Sequence, residues 1–205
     1  MLSKATIGRL PGYLEYINSL PPHTTHISAT TIARGLNLGE VQVRKDLSAV
    51  CGTGKPRVGY SVVDLSNALR SALGANSGCE AVIVGAGKLG MALLGFGGFE
   101  DYGISIRRAF DNNPAKLSSQ VLPLDSLTSY CTLHQVEIGI ITTPAEAAQQ
   151  VADLLVKSGV RAIWCFSAAR LRLPPGITVQ YENMAPALAH LYHKVKNNSH
   201  SNRGG

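Results

Sequence analysis

Apolar residues follow two different rhythms along this chain, and the change comes near residue 75. Before it they recur every three or four positions, the period of a helix with one buried face. Ile7, Leu10, Leu14 and Ile17 predict a first helix from Ser3 to Ser19, interrupted at Pro11-Gly12 and stopped by Pro21-Pro22. Ser28 is placed to cap a second helix that carries Ile32, Ala33 and Leu36 inward, and Asn37-Leu38-Gly39 turns the chain. A third helix runs from Glu40 to Val50, with Val43, Leu47 and Val50 on the buried stripe. Asp46 falls beside that stripe, while Gln42, Arg44, Lys45 and Ser48 face outward. The glycine, proline and cation content of Cys51 to Tyr60 predicts a hairpin. Val62 to Leu73 then reads as a connecting helix, and Gly74-Ala75-Asn76-Ser77-Gly78 as a linker.

Beyond the linker, short continuous apolar runs alternate with helical segments. Strands are predicted at 79–84, 104–111, 137–143, 161–166 and near 177–181, with helices at 88–95, near 125–134 and at 145–158. Alternation of this kind predicts a parallel sheet covered on both faces. The segment from Lys116 to Pro123 is too short for a full crossover helix and strand, so that corner of the sheet is reduced. A last helix, capped by Asn183, carries Met184, Leu188, Leu191 and Val195 along one stripe. It follows a finished sheet, so its apolar face packs on a second subunit or folds back on its own domain. His190 and His193 on it read as solvent-facing imidazoles rather than a metal pair.

The first strand of the second part runs into Gly85-Ala86-Gly87-Lys88-Leu89-Gly90, and Asp111 follows 21 residues after the last glycine. Strand, G-x-G-x-x-G turn, helix and a distant acid together form a dinucleotide-binding fingerprint. Gly85 permits the tight turn, Gly87 lets backbone approach a pyrophosphate, and Gly90 lets helix and strand pack closely. Asp111 suits ribose hydroxyls and so favours NAD(H) over NADP(H), although Arg107 and Arg108 lie on the same strand.

Composition narrows the setting. The 205 residues are 45% hydrophobic and 16% charged, and no apolar run is long enough to span a membrane. No export signal is evident, which leaves the cytoplasm. Cys51, Cys79, Cys131 and Cys165 form neither a C-x-x-C pair nor a zinc pattern, so they read as buried thiols in a reducing compartment. The net charge of +6 is concentrated early: residues 1–75 hold eight Lys/Arg against four acids. Two short helices, a basic third helix and a basic hairpin predict a winged helix-turn-helix that binds a polyanion, DNA.

With this order of parts, nearly the whole chain resembles the redox-sensing transcriptional repressor Rex family. The resemblance is carried by Arg9-Leu10-Pro11 with Tyr13, by Gln42 to Ser48, by Val58-Gly59-Tyr60, by Gly85 to Gly90, by Phe110-Asp111 with Pro114 and Lys116, and by Pro144 to Gln149. It implies an α/β protein: a winged helix-turn-helix domain over residues 1–76, a Rossmann-type parallel-sheet domain over 77–182, a swapped dimerisation helix over 183–197 and a disordered polar tail over 198–205. It implies a homodimer on a palindromic operator of double-stranded DNA, which NADH releases and NAD+ permits. Contacts to DNA are expected from Ser28, Gln42, Arg44, Lys45, Ser48, Lys55, Arg57 and Tyr60. Contacts to NAD(H) are expected from Gly85, Ala86, Gly87, Lys88, Leu89, Gly90, Phe96, Asp111, Asn112, Thr142, Thr143, Pro144, Phe166 and Asn183.

Several positions depart from the family pattern. Its Gly-Lys-Arg-Gly-Val-Gly-Tyr wing is here Gly54-Lys55-Pro56-Arg57-Val58-Gly59-Tyr60, and Pro56 removes a backbone donor. Phe96 and Asn183 stand where the family has a tyrosine and an aspartate, which with the arginine matching Arg9 are linked in the redox switch. The family's Asn-Phe-Ala-Pro run is here Cys165-Phe166-Ser167-Ala168. The expectation is therefore a repressor with a weakened redox response. Two rivals are a regulator whose second domain only dimerises and an oxidoreductase. The latter needs an acid or base beside the nicotinamide, and His134 lies before a strand, at the wrong end for chemistry. No catalytic residue and no metal ligand are expected.

Overall fold

The computed structural model describes residues 2–201. The chain divides into two compact units, one running to Gly78 and including Gly97–Ile104, the other comprising Cys79–Phe96 and the chain from Ser105 onward.

The first unit holds α1 (Lys4–Asn18), β1 (His26–Ile27), α2 (Ala29–Gly35), α3 (Glu40–Cys51), β2 (Tyr60–Ser61) and α4 (Val62–Ala72). Each helix begins where a side chain or an extended residue can end the preceding loop. Ser3, Ser28 and Ser61 cap α1, α2 and α4 by accepting from Thr6, Thr31 and Asp64 amides. The interruption expected at Pro11 does not occur, and α1 runs straight through it. A proline inside a helix costs about 3 kcal/mol. Leu10, Tyr13, Leu14 and Ile17 are buried on either side of it, and each such side chain contributes roughly 1.5–3 kcal/mol, so packing outweighs the break. Ile7, expected in this stripe, is exposed, and Tyr13 takes the inward place. β1 and β2 pair antiparallel, Ile27 opposite Tyr60.

A 3-10 segment, Gly97–Tyr102, also belongs to this unit, which the expected single cut at residues 76/77 did not provide. Tyr102 packs against the helical core. Arg70 Nη2 pairs with Asp101 Oδ1 at 2.8 Å.

The second unit is built on β3 (Cys79–Val84), β4 (Ile104–Asp111), β5 (Val121–Pro123), β6 (Ile138–Ile141), β7 (Ala162–Cys165) and β8 (Thr178–Tyr181), in the sheet order β5-β4-β3-β6-β7-β8. The pairs β3/β6, β4/β5, β6/β7 and β7/β8 are parallel. The chain reverses direction of winding between β3 and β6, which makes the crevice outside their carboxyl ends the place where a ligand binds in such sheets. α5 (Lys88–Leu94), α6 (Leu127–His134) and α7 (Ala145–Lys157) connect the strands. The β4 to β5 crossover has only the 3-10 turn Pro114–Lys116, and a three-residue strand closes that corner. Phe110, Ile141, Val151, Leu155 and Ile163 lie in one buried cluster that joins α6 and α7 to the sheet.

α8 (Met184–Ser201) extends past the expected end at 197, so the polar segment at 198–201 continues the helix. The rest of the tail, 202–205, lies outside the described residues. Met184, Leu188, Leu191, Tyr192 and Val195 on α8 are exposed. No helix among the described residues is long and apolar enough to cross a membrane.

Candidate functional site: a nucleotide cleft and a basic helix with a wing

The turn after β3 can be made only by glycine at two points. Gly85 has φ +106°, and a Cβ there would meet the Thr142 carbonyl carbon at 2.9 Å. At Gly90 a Cβ would stand 2.1 Å from the Gly85 carbonyl oxygen, so α5 approaches the loop as closely as backbone allows. Gly87 caps α5 in an extended conformation, with no side-chain cap and open space around its Cα. The loop is pinned on one side by Thr142, whose Oγ1 donates to the Gly85 carbonyl at 2.7 Å. On the other side Asp111, at the end of β4, accepts from the Ala86 amide at 2.7 Å.

Asp111 is nearly buried and takes two more hydrogen bonds, from the Asn113 amide at 2.9 Å and from Lys116 Nζ at 2.9 Å. Burial works to raise its pKa, but Lys116 and the Asn113 and Ala86 amides outweigh it, so the carboxyl is held below its ordinary value. A carboxylate offers about four lone-pair sites, so three bonds leave one for a ligand hydroxyl. Arg107 and Arg108 do not enter this arrangement: they bond to Ser105 Oγ and to the Arg107 carbonyl.

These groups border a cavity of about 1000 Å3 whose lining includes Gly85, Gly87, Asp111, Asn112, Thr142, Thr143 and Pro144. Its walls are completed by Phe110, Leu124, Ala147, Val151 and Leu154, with Asn113, Lys116 and Gln150 at polar points. Sequence reasoning missed most of that second set. Lys116 and the face of α7 were visible as residues, but only the folded sheet brings them to one cleft. Inside the cavity, Thr143 Oγ1 is buried with no hydrogen-bond partner among the described residues. A buried hydroxyl left unpaired costs about 1–3 kcal/mol, which a ligand at this point would recover. The open cradle at Gly87, the acid at Asp111 and the unpaired Thr143 hydroxyl together fit a dinucleotide.

Other expected ligand contacts lie apart from this lining. Ala86 acts through its amide on Asp111, and Gly90 is buried against the loop. Lys88 and Leu89 begin α5 outside the cavity wall. Phe96 is 58% exposed, Phe166 packs its ring on Trp164 at 4.6 Å, and Asn183 is exposed just before α8. His134 sits before β6, stacked on Tyr130 at 4.1 Å and 4.0 Å from Glu80 at the start of β3, at the opposite end of the strands from the cavity. All four cysteines are free; burial raises their thiol pKa values, Cys131 to about 11. No group of His, Cys, Asp and Glu among the described residues is arranged to hold a metal.

In the first unit, α3 presents Gln42, Arg44 and Lys45 to solvent and Ser48 at its edge. Arg44 pairs with Glu40 one turn back. Asp46, expected beside the buried stripe, is the hub that ties α3 to α1. It accepts from Arg9 Nε at 2.7 Å and Nη2 at 2.9 Å, from Tyr13 Oη at 2.7 Å and from Thr6 Oγ1 at 3.0 Å. Burial acts to raise its pKa, and the bonds from Arg9, Tyr13 and Thr6 reverse the sign and hold it low. Burial and the Asp46 bond push the Tyr13 hydroxyl up to about 12.

The wing is a tight turn closed by reciprocal bonds between Lys55 and Gly59, both at 2.8 Å. Pro56 fits because the turn needs no donor there, and Arg57 takes the left-handed conformation, φ +64°. Arg44, Ser48, Lys55 and Arg57 line one hollow of about 390 Å3. Ser28 and Tyr60 also border it, but Ser28 is committed to capping α2 and Tyr60 is a core residue, 8% exposed.

A winged helix-turn-helix on one unit and a Rossmann-type nucleotide cleft on the other define a two-part, ligand-binding class of DNA-associated protein. Comparison with known proteins narrows this. Residues 1–48 match the family described as "Putative DNA-binding protein N-terminus", and residues 76–169 match the CoA binding domain family. The chain is 37% identical over 192 residues to the redox-sensing transcriptional repressor Rex of Treponema denticola, covering 91% of each. It is 39% identical over 185 residues to that of Carboxydothermus hydrogenoformans, covering 87% of this chain and 89% of the relative. A crystal structure of RSP with β-NAD+ and operator DNA superposes with a TM-score of 0.85 at 28% identity, covering 99% of this chain and 96% of that one. RSP with β-NADH gives 0.83 at 27% identity over 99% and 98%. The chain belongs to the redox-sensing transcriptional repressor Rex family.

Proposed function

We propose that this chain is a cytoplasmic, dimeric transcriptional repressor that binds operator DNA through α3 and the wing and leaves it when the second unit holds NADH. The observation that carries the reading is the cleft at Gly85, Gly87, Asp111 and Thr143, built at the switch point of the sheet with an unpaired buried hydroxyl inside. In it Gly85 to Gly87 receive the pyrophosphate, Asp111 a ribose, and the walls at Phe110, Val151 and Leu154 the adenine. The nicotinamide supplies the difference in charge and ring shape between NAD+ and NADH. A charged Asp111 opposes the 2′-phosphate of an NADP(H).

On the DNA side, Lys45 and Arg44 enter the major groove while Lys55 and Arg57 hold phosphates. Two copies on a palindrome place two α3 helices about 34 Å apart. The exposed apolar side of α8 is the surface that a second copy covers. No catalytic role is assigned, since His134 stands away from the cleft with Glu80 and Tyr130; steady consumption of NADH by the pure protein would overturn that.

The test is operator binding with NAD+, NADH and neither, then at constant total dinucleotide with a varied NADH fraction. Release that tracks NADH supports the reading; binding indifferent to both dinucleotides sinks it. A shallow dependence would support a second reading, a regulator that binds NAD(H) but responds weakly, which Phe96 and Asn183 favour because the family's hydroxyl and charge are missing there. Lys55→Ala should weaken DNA binding at every sequence and lower the log–log salt slope by about one, whereas Lys45→Ala should weaken operator binding most, relax its sequence preference, and leave the calorimetric heat of NADH binding unchanged.

A further inference from the structure

The outward face of α3 carries a large apolar side chain among its polar ones. Val41, in the first turn of the helix, is 70% exposed, while Gln42, Arg44 and Lys45 beside it are exposed polar groups. With about 100° per residue, Val41 and Lys45 fall about 160° and about 200° around the helix from Val43. They are the two side chains of α3 most nearly opposite that buried residue. Both border the same surface hollow, of about 590 Å3. The core makes no use of this valine, and its branched Cβ makes it a poorer helix former than alanine or lysine.

A recognition helix meets base edges with residues near its N-terminus, and the apolar group that a base presents in the major groove is the C5 methyl of thymine. We infer that Val41 is a specificity-determining residue that packs on the methyl of a thymine, one helical turn from the base that Lys45 reads. Cytosine at the same place presents an amino donor that an apolar side chain cannot satisfy, so the contact selects thymine against cytosine. Four residues advance a helix by about 6 Å and successive bases lie about 3.4 Å apart, which places the thymine within about two base pairs of the Lys45 base. The inference rests on the proposed entry of α3 into the major groove and adds a base that this entry selects.

The test uses the full chain with NAD+ and a pool of duplexes carrying a random core, selected with the parent protein and, in parallel, with Lys45→Ala. Each thymine of the selected half-site is then replaced by 2′-deoxyuridine, which removes the methyl and keeps the base pair. These duplexes are titrated with the parent, Val41→Ser and Val41→Ile. Val41 is exposed, so neither variant disturbs the core, and unchanged melting verifies this. At one thymine in each half-site, loss of the methyl should weaken the parent about threefold to fivefold, the effect of burying one methyl-sized group. Changing both half-sites should weaken it about tenfold to twentyfold. That thymine should lie within about two base pairs of the position whose preference Lys45→Ala loses. Val41→Ser should bind thymine and uracil duplexes equally, and Val41→Ile should keep the difference.

A purely structural role for Val41 would not make binding depend on a methyl group of the DNA. Uracil tolerated at every thymine of a sequence-specific complex overturns the inference alone, as does a thymine–uracil difference that survives in Val41→Ser. A parent protein that enriches no sequence at all overturns the DNA-binding reading together with the inference, and the first selection tells these failures apart.

Discussion

Replacing Gly87 by alanine separates the ligand's needs from the fold's. Gly87 has φ −80° and ψ −175°, extended backbone open to any residue, and a Cβ added there meets nothing within 4 Å. The substitution should leave stability unchanged or raise it by up to about 1 kcal/mol through the unfolded chain. That open space is where the phosphates lie in the proposed complex, so the methyl group should push them off the backbone amides. A hydrogen bond to a charged group contributes about 1.5–3 kcal/mol, and losing one weakens binding roughly tenfold to a hundredfold. Gly90→Ala is the contrasting variant: its Cβ would stand 2.1 Å from the Gly85 oxygen and 2.8 Å from Thr142 Oγ1. To reach an ordinary 3.4 Å contact, α5 must back away by about 1.3 Å. Overpacking of this kind costs about 1–3 kcal/mol, so stability and ligand affinity should fall together. Calorimetric titration with NADH and thermal melting of each variant measure both quantities. If Gly87→Ala binds NADH as tightly as the parent, the cradle is only a tight turn and the assignment of the cleft is wrong.

Two other variants probe the charged hubs. Asp46→Ala strands the buried Tyr13 hydroxyl and removes the partner of a partly exposed Arg9, so it should cost roughly 2–4 kcal/mol in urea unfolding. Because Asp46 has a folded pKa below its ordinary 3.8, its contribution is present above that value and is lost as pH falls through the folded pKa; Asp46→Asn should flatten this acid limb. Tyr13 has the opposite slope. Its folded pKa of about 12 lies above the ordinary 10.0, so its contribution is full below pH 10.0 and declines toward about 12, and Tyr13→Phe should abolish the decline. At Asp111, substitution by serine removes the charge and frees Lys116 Nζ from its 2.9 Å bond. NADH should bind less tightly and NADPH more tightly in direct competition, and an unchanged ratio would show that Asp111 does not face the ribose.

The local rules visible in the sequence determined most elements. The cap at Ser28, the helical period of Val43 and Leu47, and the apolar run at 79–84 before Gly85 are signals carried by adjacent residues. The G-x-G-x-x-G spacing and Asp111 likewise pointed to the cleft beside β3, because Gly85 and Gly90 answer steric demands made within a few residues or by the next strand, while Gly87 leaves the space open. What the sequence could not decide were outcomes of competition between distant groups. Pro11 reads as a helix breaker, and only the burial of Leu10, Tyr13, Leu14 and Ile17 in a shared core overrules it. The segment Gly97–Tyr102 lies within the second part by order but joins the first unit, since Tyr102 finds its apolar contacts there.

The same division holds at the functional residues. Sequence placed Gln42 and Asp46 on α3 by angle alone. The fold supplied Arg9 from 37 residues away, and with it the cation that holds the buried Asp46 carboxylate. Thr143 was expected at the ligand and Lys116 in the family motif. That the Thr143 hydroxyl is left unpaired among the described residues, and that the Lys116 side chain is tied to Asp111, followed only from the sheet order that brings the ends of β4 and β6 beside β3. Periodicity determines which face of an element is buried. Which polar groups meet, and which one is left unpaired in a cavity, depends on long-range packing that no local pattern encodes.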